Sequence, residues 1–197
     1  MRNPIRLKNL NLRFLPYYAI GLAVLVLHRP SMESLWAGAP LLLLGAALRT
    51  WGAGHLVKND DLTMTGPYAH LRHPLYLGTI LIGTGFAIGI GGLLGLLVVA
   101  VLWPWFAFGY FPRKERVESG RLEARYGDRF TAYRTAVPAL WPRWSRFAGA
   151  EEADATRGGG DPTRWSLARY SDNNELGTLL AVIGGFGVFF LRASFAP

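Results

Sequence analysis

The stretch DDLTMTGPYAHLRHPLYLG, residues 60–78, joins a polar segment to a long apolar one. It holds a Gly-Pro turn, two tyrosines, two histidines and an arginine before the apolar run begins at Pro74. Proline disfavours helical geometry in the residue before it and fits the first turn of a helix. We therefore expect a helix to start at Pro74, with His73 extended and the polar side chains gathered at its first turn.

The chain as a whole alternates long apolar blocks with short basic ones. Of its 197 residues 51% are hydrophobic, yet the formal net charge is +8. Apolar residues gathered in blocks between basic ones predict a polytopic membrane protein. Nucleic-acid-binding proteins present Lys and Arg as a patch on a folded surface, so no nucleic-acid partner is expected. The sequence has no cysteine, which excludes disulfides, thiolate metal sites and a Cys nucleophile within it.

We predict an all-α bundle of about five transmembrane helices with a cytoplasmic N-terminus. The first predicted span begins at about residue 10 or 14 and ends at residue 27. The other four cover residues 35–54, 74–88, 93–111 and 176–191. No small-residue cleavage site follows Leu27, so the first span is interpreted as a retained helix rather than a signal peptide. Five spans leave only Arg29 and Arg192 outside, as the positive-inside rule favours, and Arg49, near the end of the second span, is able to snorkel. The Arg-, Ala-, Gly- and Leu-rich composition points to a bacterial inner membrane.

Composition also divides the chain into three parts. Residues 1–147 are expected to form the membrane core, with the functional motifs in residues 55–142 and a cytoplasmic helix opening near residue 113. Residues 148–163 are low in apolar content and predict a flexible linker. Residues 164–197 combine an amphipathic segment with the fifth span.

The start of the third span is typical of an anion-binding site. The open N–H groups and positive dipole end of a helix favour a carboxylate or phosphate there, and Arg72 and His73 would add donors. The alternative is that these two residues touch lipid headgroups while Tyr68 and Tyr76 belong to an interfacial aromatic belt. The density of polar side chains within one short segment favours a binding site.

Other catalytic patterns are weak or absent. His70 and His73 are three residues apart, but Pro74 argues against a shared helix face and no further ligand pattern follows, so no metal site is predicted. No GxSxG elbow is present. The glycines of GTGFAIGIGG, residues 83–92, lie within an apolar span, which favours close helix packing over a dinucleotide loop.

Glu118 follows the fourth span on the side that holds the His73 segment, with Lys114 one helical turn earlier. The spacing alone fits a solvent-exposed pair on a helix surface equally well. An acid close to a bilayer usually has a functional reason, however. Together with the polar segment, Glu118 is a candidate to bind the cationic or hydroxyl groups of a ligand.

Two segments resemble the isoprenylcysteine carboxyl methyltransferase family and the related phospholipid methyltransferases. GPYAHLRHPLYLG fills the pattern G-x-Y-x-x-x-R-H-P-x-Y-x-G with Gly66, Tyr68, Arg72, His73, Pro74, Tyr76 and Gly78. ERVESGRLEARYGDRFTAYRTAVPALWP is similar to E-E-x-x-L-x-x-x-F-G-x-x-Y-x-x-Y, and the matching residues are Glu118, Leu122, Gly127 and Tyr133, with Tyr126 for Phe. Ser119 stands in place of the second Glu and Phe130 in place of a Tyr. The resemblance covers about residues 50–142.

The resemblance implies an integral membrane methyltransferase that uses S-adenosylmethionine at the cytoplasmic face, with a lipophilic acceptor entering from the bilayer. The implied cofactor contacts are Asp60, Asp61, Leu62, Thr63, Tyr68, His73, Pro74, Leu75, Tyr76 and Glu118. Arg72, Lys114 and Glu118 are the candidate catalytic residues, and Lys114 stands where the family usually has an Arg near the acceptor. The acceptor atom, whether carboxylate oxygen, thiol sulfur or amine nitrogen, stays open.

Two other functions stay open at this point. Membrane sterol reductases carry a segment similar to RHPxY, which would imply NADPH and a larger basic site for its 2′-phosphate. A non-catalytic membrane scaffold is the other alternative, and the departures at Ser119 and Phe130 would favour it. The chemistry of the residues fits the methyltransferase, because a carboxylate suits a helix N-terminus and a sulfonium suits aromatic faces.

Overall fold

The computed structural model describes residues 28–57, 61–149 and 164–195, and within these ranges it contains helices and no strand. The helices are α1 (Met32–His55), α2 (Pro74–Ile90), α3 (Gly92–Pro104), α4 (Phe111–Tyr126), α5 (Asp128–Ala136), α6 (Leu167–Asp172) and α7 (Glu175–Ser194). A 3₁₀ turn, Gly66–Ala69, precedes α2, and a π-helical segment, Trp105–Tyr110, joins α3 to α4. The all-helical prediction is confirmed for the described residues.

The predicted number of five membrane spans is not confirmed. By length and composition, two of the described helices could cross a membrane: the continuous helix Gly92–Tyr126 and α7. Helix α2 is apolar but shorter. The predicted first span, up to residue 27, and most of the predicted linker lie outside the described residues.

Helices α1 and α2 form a closely packed antiparallel pair. Ser31 caps α1, because its side chain accepts a hydrogen bond from the Ser34 N–H at 3.1 Å. A Cβ atom on Gly38 would lie 2.2 Å from the carbonyl oxygen of Gly85, so the two backbones touch directly. This confirms the packing interpretation of the glycines in the third predicted span.

The charged helix predicted near residue 113 continues α3 without a break. Gly91 and Gly92 have φ of 77° and 56° and make the turn that connects α2 to α3. From Gly92 the helix runs for 35 residues to Tyr126, apolar as far as Phe111 and charged beyond it. Its charged end therefore lies against the start of α2, where the polar segment is.

The C-terminal part of the chain is attached to α1 by several polar contacts. The Trp165 indole donates to the carbonyl of Thr50 at 2.9 Å. Asn173 donates to the carbonyls of Ala53 and Leu56, at 2.7 and 2.9 Å, and so caps the end of α1. The final helix thus packs on the bundle rather than standing apart from it.

Arg49, which the sequence places where it is able to snorkel, binds groups within the bundle instead. Its guanidinium lies between α1, α2 and α7, where it donates to the Glu175 carboxylate and to the Leu75 carbonyl. A carboxylate and a carbonyl within the bundle satisfy its donors, so the side chain has no need to reach an aqueous interface.

Candidate functional site

A cavity of about 470 Å³ lies where the loop before α2, the first turn of α2 and the charged helix α4 meet. The residues that line it are Leu56, Val57, Asp61, Leu62, Thr63, Tyr68, Arg72, His73, Tyr76, Lys114, Val117, Glu118, Ser119, Arg121, Leu122, Arg125, Tyr126, Phe130 and Tyr133. A cavity of this size is typical of a small-molecule or cofactor site.

The loop wall of the cavity is held by a small apolar core. Its buried members are Leu62, Met64, Ala69, Phe130, Tyr133 and Val137. Tyr133 donates its hydroxyl to the carbonyl of Tyr68 at 2.7 Å, and Thr63 accepts from the N–H of Val57 at 3.0 Å. Phe130, the departure from the family tyrosine, is fully buried in this core, where a ring without a hydroxyl packs well.

The backbone before α2 is fixed by the segment that follows α5. The N–H groups of Arg72 and His73 donate to the carbonyls of Pro138 and Ala139, at 2.9 and 3.0 Å. His73 therefore has φ −125° and ψ 61°, which corrects the expected extended geometry. Helix α2 begins at Pro74 as predicted. The pairing fixes where the His73 side chain enters the site.

Glu115 binds the side chains of both basic residues at this position. Its Oε1 accepts from Nη1 of Arg72 at 2.6 Å, and its Oε2 accepts from Nε2 of His73. Burial alone would raise the pKa of the Glu115 carboxyl, but hydrogen bonds and charge from His73 and Arg72 outweigh it and lower the pKa to about 2. Arg72 and His73, which the sequence predicts to bind the carboxylate or phosphate of a ligand, thus already bind the carboxylate of Glu115.

Glu118 faces the cavity from the same helix. The hydroxyl of Tyr76 donates to Oε2 of Glu118 at 3.2 Å, and Nδ1 of His73 lies 3.9 Å from the same oxygen. The Glu118 side chain is 46% exposed, so its carboxylate can still accept bonds from a ligand. Lys114 lies over the ring of Tyr110, with Nζ 5.8 Å from its centroid.

Tyr68 lines the cavity and has a buried hydroxyl without a partner. The residue is 6% exposed, and among the described residues its hydroxyl has no hydrogen-bond partner. Burial raises its pKa well above the usual value, so the hydroxyl stays protonated and can donate. A buried polar atom without a partner is rare in proteins, so this hydroxyl is a candidate donor to a ligand in the neighbouring cavity.

The structure brings most of the predicted site residues together. Those that line the cavity are Asp61, Leu62, Thr63, Tyr68, Arg72, His73, Tyr76, Lys114 and Glu118. Pro74 and Leu75 do not line it and instead pack near Gly52 of α1. Asp60 lies outside the described residues.

Glu115 and the two arginines on the cavity face of α4 were not predicted from the sequence as site residues. Besides Lys114 and Glu118, the cavity-lining residues of this helix include Arg121, Leu122 and Arg125. Their spacing of three and four residues is the signal that places side chains on one helix face. Within the part of the chain that the structure describes, no three His, Asp or Glu side chains group as metal ligands.

Most of the residues that line the cavity lie within a region that is similar to known proteins. The phospholipid methyltransferase family model matches residues 34–129. The cobalt-zinc-cadmium resistance protein CzcN of Cupriavidus metallidurans is 34% identical over 139 residues, which cover 65% of this chain and 61% of that protein. The nickel-cobalt-cadmium resistance protein NccN of Alcaligenes xylosoxydans xylosoxydans is 30% identical over 139 residues, covering 66% of this chain and 62% of that protein.

A third relative has a name that states an activity. The protein-S-isoprenylcysteine O-methyltransferase of Schizosaccharomyces pombe is 32% identical over 85 residues, which cover 43% of this chain and 34% of that protein. The matches thus span about three fifths of the first two relatives and about a third of this one. No solved structure gives a significant match.

Proposed function

Over residues 34–129 the chain belongs to the phospholipid methyltransferase family, and on that premise we propose an S-adenosylmethionine-dependent methyltransferase of the membrane. The acceptor we propose is a lipophilic or amphiphilic molecule that enters from the bilayer. One observation carries the proposal: the two segments that resemble the methyltransferase signatures form facing walls of one cavity.

The chemistry of the cavity fits the proposed cofactor. S-adenosylmethionine carries a carboxylate, an ammonium group, a sulfonium and a ribose. Arg121 and Arg125 line the cavity and suit the carboxylate, whereas Glu118 suits the ammonium or the ribose hydroxyls. The hydroxyl of Tyr68 offers one further donor, and the ring of Tyr126 offers a face to a sulfonium.

The protein would contribute geometry and exclusion of water. When bound, the cofactor supplies an electrophilic methyl group, which an acceptor attacks in line with the departing sulfur. The residues that we expect to hold an acceptor in that line are Lys114 and Glu118, at the part of α4 that follows the apolar helix. A pocket of low water content favours this reaction because a charged sulfonium becomes a neutral thioether.

The surface supports a site at the edge of a membrane. Large apolar side chains of α3, such as Leu93, Leu96 and Val101, are exposed along the helix that leads to the cavity. Beyond α5, Trp141 and Trp144 are 83% and 100% exposed, and indoles are enriched at membrane interfaces. We place the site on the cytoplasmic side of a bacterial inner membrane, because the charged segments are rich in Arg and Lys.

Calorimetric binding of S-adenosylmethionine and S-adenosylhomocysteine to detergent-purified protein tests the proposal. We expect micromolar affinity for the wild type and a loss of about tenfold or more, equivalent to about 1.4 kcal/mol, for His73→Ala and Glu118→Ala. Glu33→Gln, in the first turn of α1 and outside the cavity, is the matched control and should bind as the wild type does.

The same experiment separates the competing functions. A folded protein that binds neither molecule contradicts the methyltransferase. NADPH binding in their place would favour a reductase, and no binding of any of the three would favour a scaffold. Transfer of a labelled methyl group to a membrane-lipid extract would then identify the acceptor class, with Glu118→Ala as the inactive comparison.

A further inference from the structure

Ser119 is buried against Glu115, one helical turn earlier on α4. It is 3% exposed, and its hydroxyl donates to Oε1 of Glu115 at 3.2 Å. Residues four apart share a helix face, so the side chains at positions 115 and 119 lie next to each other on the same side of α4. Position 119 is also where the resembled family pattern has its second glutamate, which this chain lacks. The space next to Ser119 is nevertheless occupied by a carboxylate.

The direction of helical side chains makes this replacement possible. A side chain on an α-helix leans toward the helix N-terminus and covers the turn before its own Cα atom. A glutamate at 119 would therefore extend back over the turn that contains Glu115. Its carboxylate would reach the region that the Glu115 carboxylate occupies, because the Ser119 hydroxyl is already in hydrogen-bond contact with that group.

The Glu115 carboxylate fixes the side chains at the start of α2. Arg72 and His73 have side chains only 11% and 6% exposed, and both donate to it. An ionised carboxylate only accepts hydrogen bonds, so Nε2 of His73 carries the proton in this contact and Nδ1 faces Glu118 at the cavity. Without the carboxylate, two buried donors would lose their partner, and the His73 ring could rotate.

We propose that Glu115 is a positioning residue that supplies, from one turn earlier, the carboxylate that the family pattern places at position 119. In this arrangement Ser119 hydrogen-bonds a carboxylate that stands one turn earlier on the helix. Its presence therefore does not indicate a site that has lost its function. The inference rests on the proposed function only for the identity of the ligand. The role itself, fixing Arg72 and His73, belongs to the geometry of the chain.

An exchange of the two side chains tests the proposal. The proteins compared are the wild type, Glu115→Gln, the double variant Glu115→Ser with Ser119→Glu, and Glu123→Gln as a control glutamate exposed on the same helix. Affinity for S-adenosylmethionine is measured by calorimetry. We expect Glu115→Gln to lose about tenfold, the double variant to return to within about threefold of the wild type, and the control to remain unchanged.

A second measurement does not depend on the cofactor. The sequence contains four histidines, so ¹⁵N-histidine spectra can be assigned by removing them one at a time. The ring nitrogens of His73 should shift in Glu115→Gln and return toward the wild-type positions in the double variant. If Glu115 affected only folding, the double variant, in which the carboxylate is moved by one turn, would not restore the His73 signals.

The outcomes separate the two hypotheses. If the wild type does not bind S-adenosylmethionine, the proposed function fails, and the histidine spectra alone decide the role of Glu115. Unchanged affinity and unchanged His73 signals in Glu115→Gln would overturn that role. A folded double variant that behaves like Glu115→Gln would overturn the relocation. If Glu115→Gln does not fold, recovery of folded protein in the double variant supports the relocation, and failure to recover contradicts it.

Discussion

Arg49 and Glu175, which are 126 residues apart in sequence, form an ion pair with two hydrogen bonds. Nε of Arg49 lies 3.0 Å from Oε2 of Glu175, and Nη2 lies 2.6 Å from Oε1. The side chains are 17% and 8% exposed, and Arg49 also donates to the carbonyl of Leu75. One guanidinium therefore connects α1, the first turns of α2 and the start of α7.

We predict that Glu175→Gln lowers the free energy of unfolding by about 3 kcal/mol, because it leaves a mostly buried guanidinium without a counter-charge. The double variant Arg49→Met with Glu175→Met should recover most of the loss, since neither side chain then carries a charge. Unfolding in detergent of Glu175→Gln, and of the cycle formed by the wild type, Arg49→Met, Glu175→Met and their double variant, measures both effects. A double variant as unstable as the sum of its single variants would show that the pair is not coupled.

We predict that Gly38→Ala destabilises the protein by about 2 kcal/mol, because its Cβ would meet the Gly85 carbonyl at 2.2 Å and force α1 away from α2. Gly187→Ala on α7 is the control, since no described atom lies within 4 Å of its Cβ position. Alanine should there stabilise the helix by up to about 1 kcal/mol. Thermal unfolding of both variants gives the comparison, and equal effects would exclude close packing as the cause.

Tyr68→Phe should separate ligand binding from stability. It removes a buried hydroxyl that has no partner among the described residues, so the ligand-free protein should be as stable as the wild type or slightly more stable. Affinity for S-adenosylmethionine should fall by about fivefold or more, about 1 kcal/mol, through the loss of a donor.

Tyr133→Phe is the matched comparison for Tyr68→Phe and should have the opposite effect on stability. Its hydroxyl donates to the carbonyl of Tyr68, so its removal should cost about 1 kcal/mol in the ligand-free protein. Unfolding and calorimetry on both variants check the pair. Equal affinities in Tyr68→Phe and the wild type would mean that the hydroxyl does not face the ligand.

Acid should destabilise the protein through Glu115. The pKa of this carboxyl is lowered from 4.5 to about 2 in the folded chain, so the unfolded chain binds the proton first as pH falls. The stabilisation is therefore complete above about pH 4.5 and is lost as the pH falls toward about 2. Unfolding midpoints of the wild type should fall more steeply with acid than those of Glu115→Gln. Parallel curves for the two proteins would contradict the assignment.

Local sequence signals predicted the start of α2 and much of the cavity wall. Pro74 restricts the backbone on both sides of itself, so the helix boundary is encoded within a few residues. The residues from Asp61 to Tyr76 lie near one another because they are close in the chain. Glu118 was identified from its position beyond an apolar helix, which is again a local signal.

The contacts that the sequence did not predict join distant segments. Glu115 meets Arg72 and His73 across 43 and 42 residues, and nothing in the composition of α4 distinguishes it from the other charged residues there. Asn173 caps α1 from the far end of the chain, and the amphipathic pattern of the C-terminal segment does not predict this interaction. The geometry of His73 also depends on a distant partner, the carbonyl of Ala139, which overrides the usual preference before proline.

The continuous helix from Gly92 to Tyr126 is longer than a membrane crossing requires. Its 35 residues extend about 52 Å, whereas the hydrocarbon core of a bilayer is about 30 Å thick. A bilayer that thins or thickens changes the tilt of such a helix, and the end outside the bilayer moves with it. Lys114 and Glu118 lie on that end, and Glu115 beside them binds Arg72 and His73 at the start of α2. A change in tilt would therefore pull on the two hydrogen bonds that fix the cavity wall.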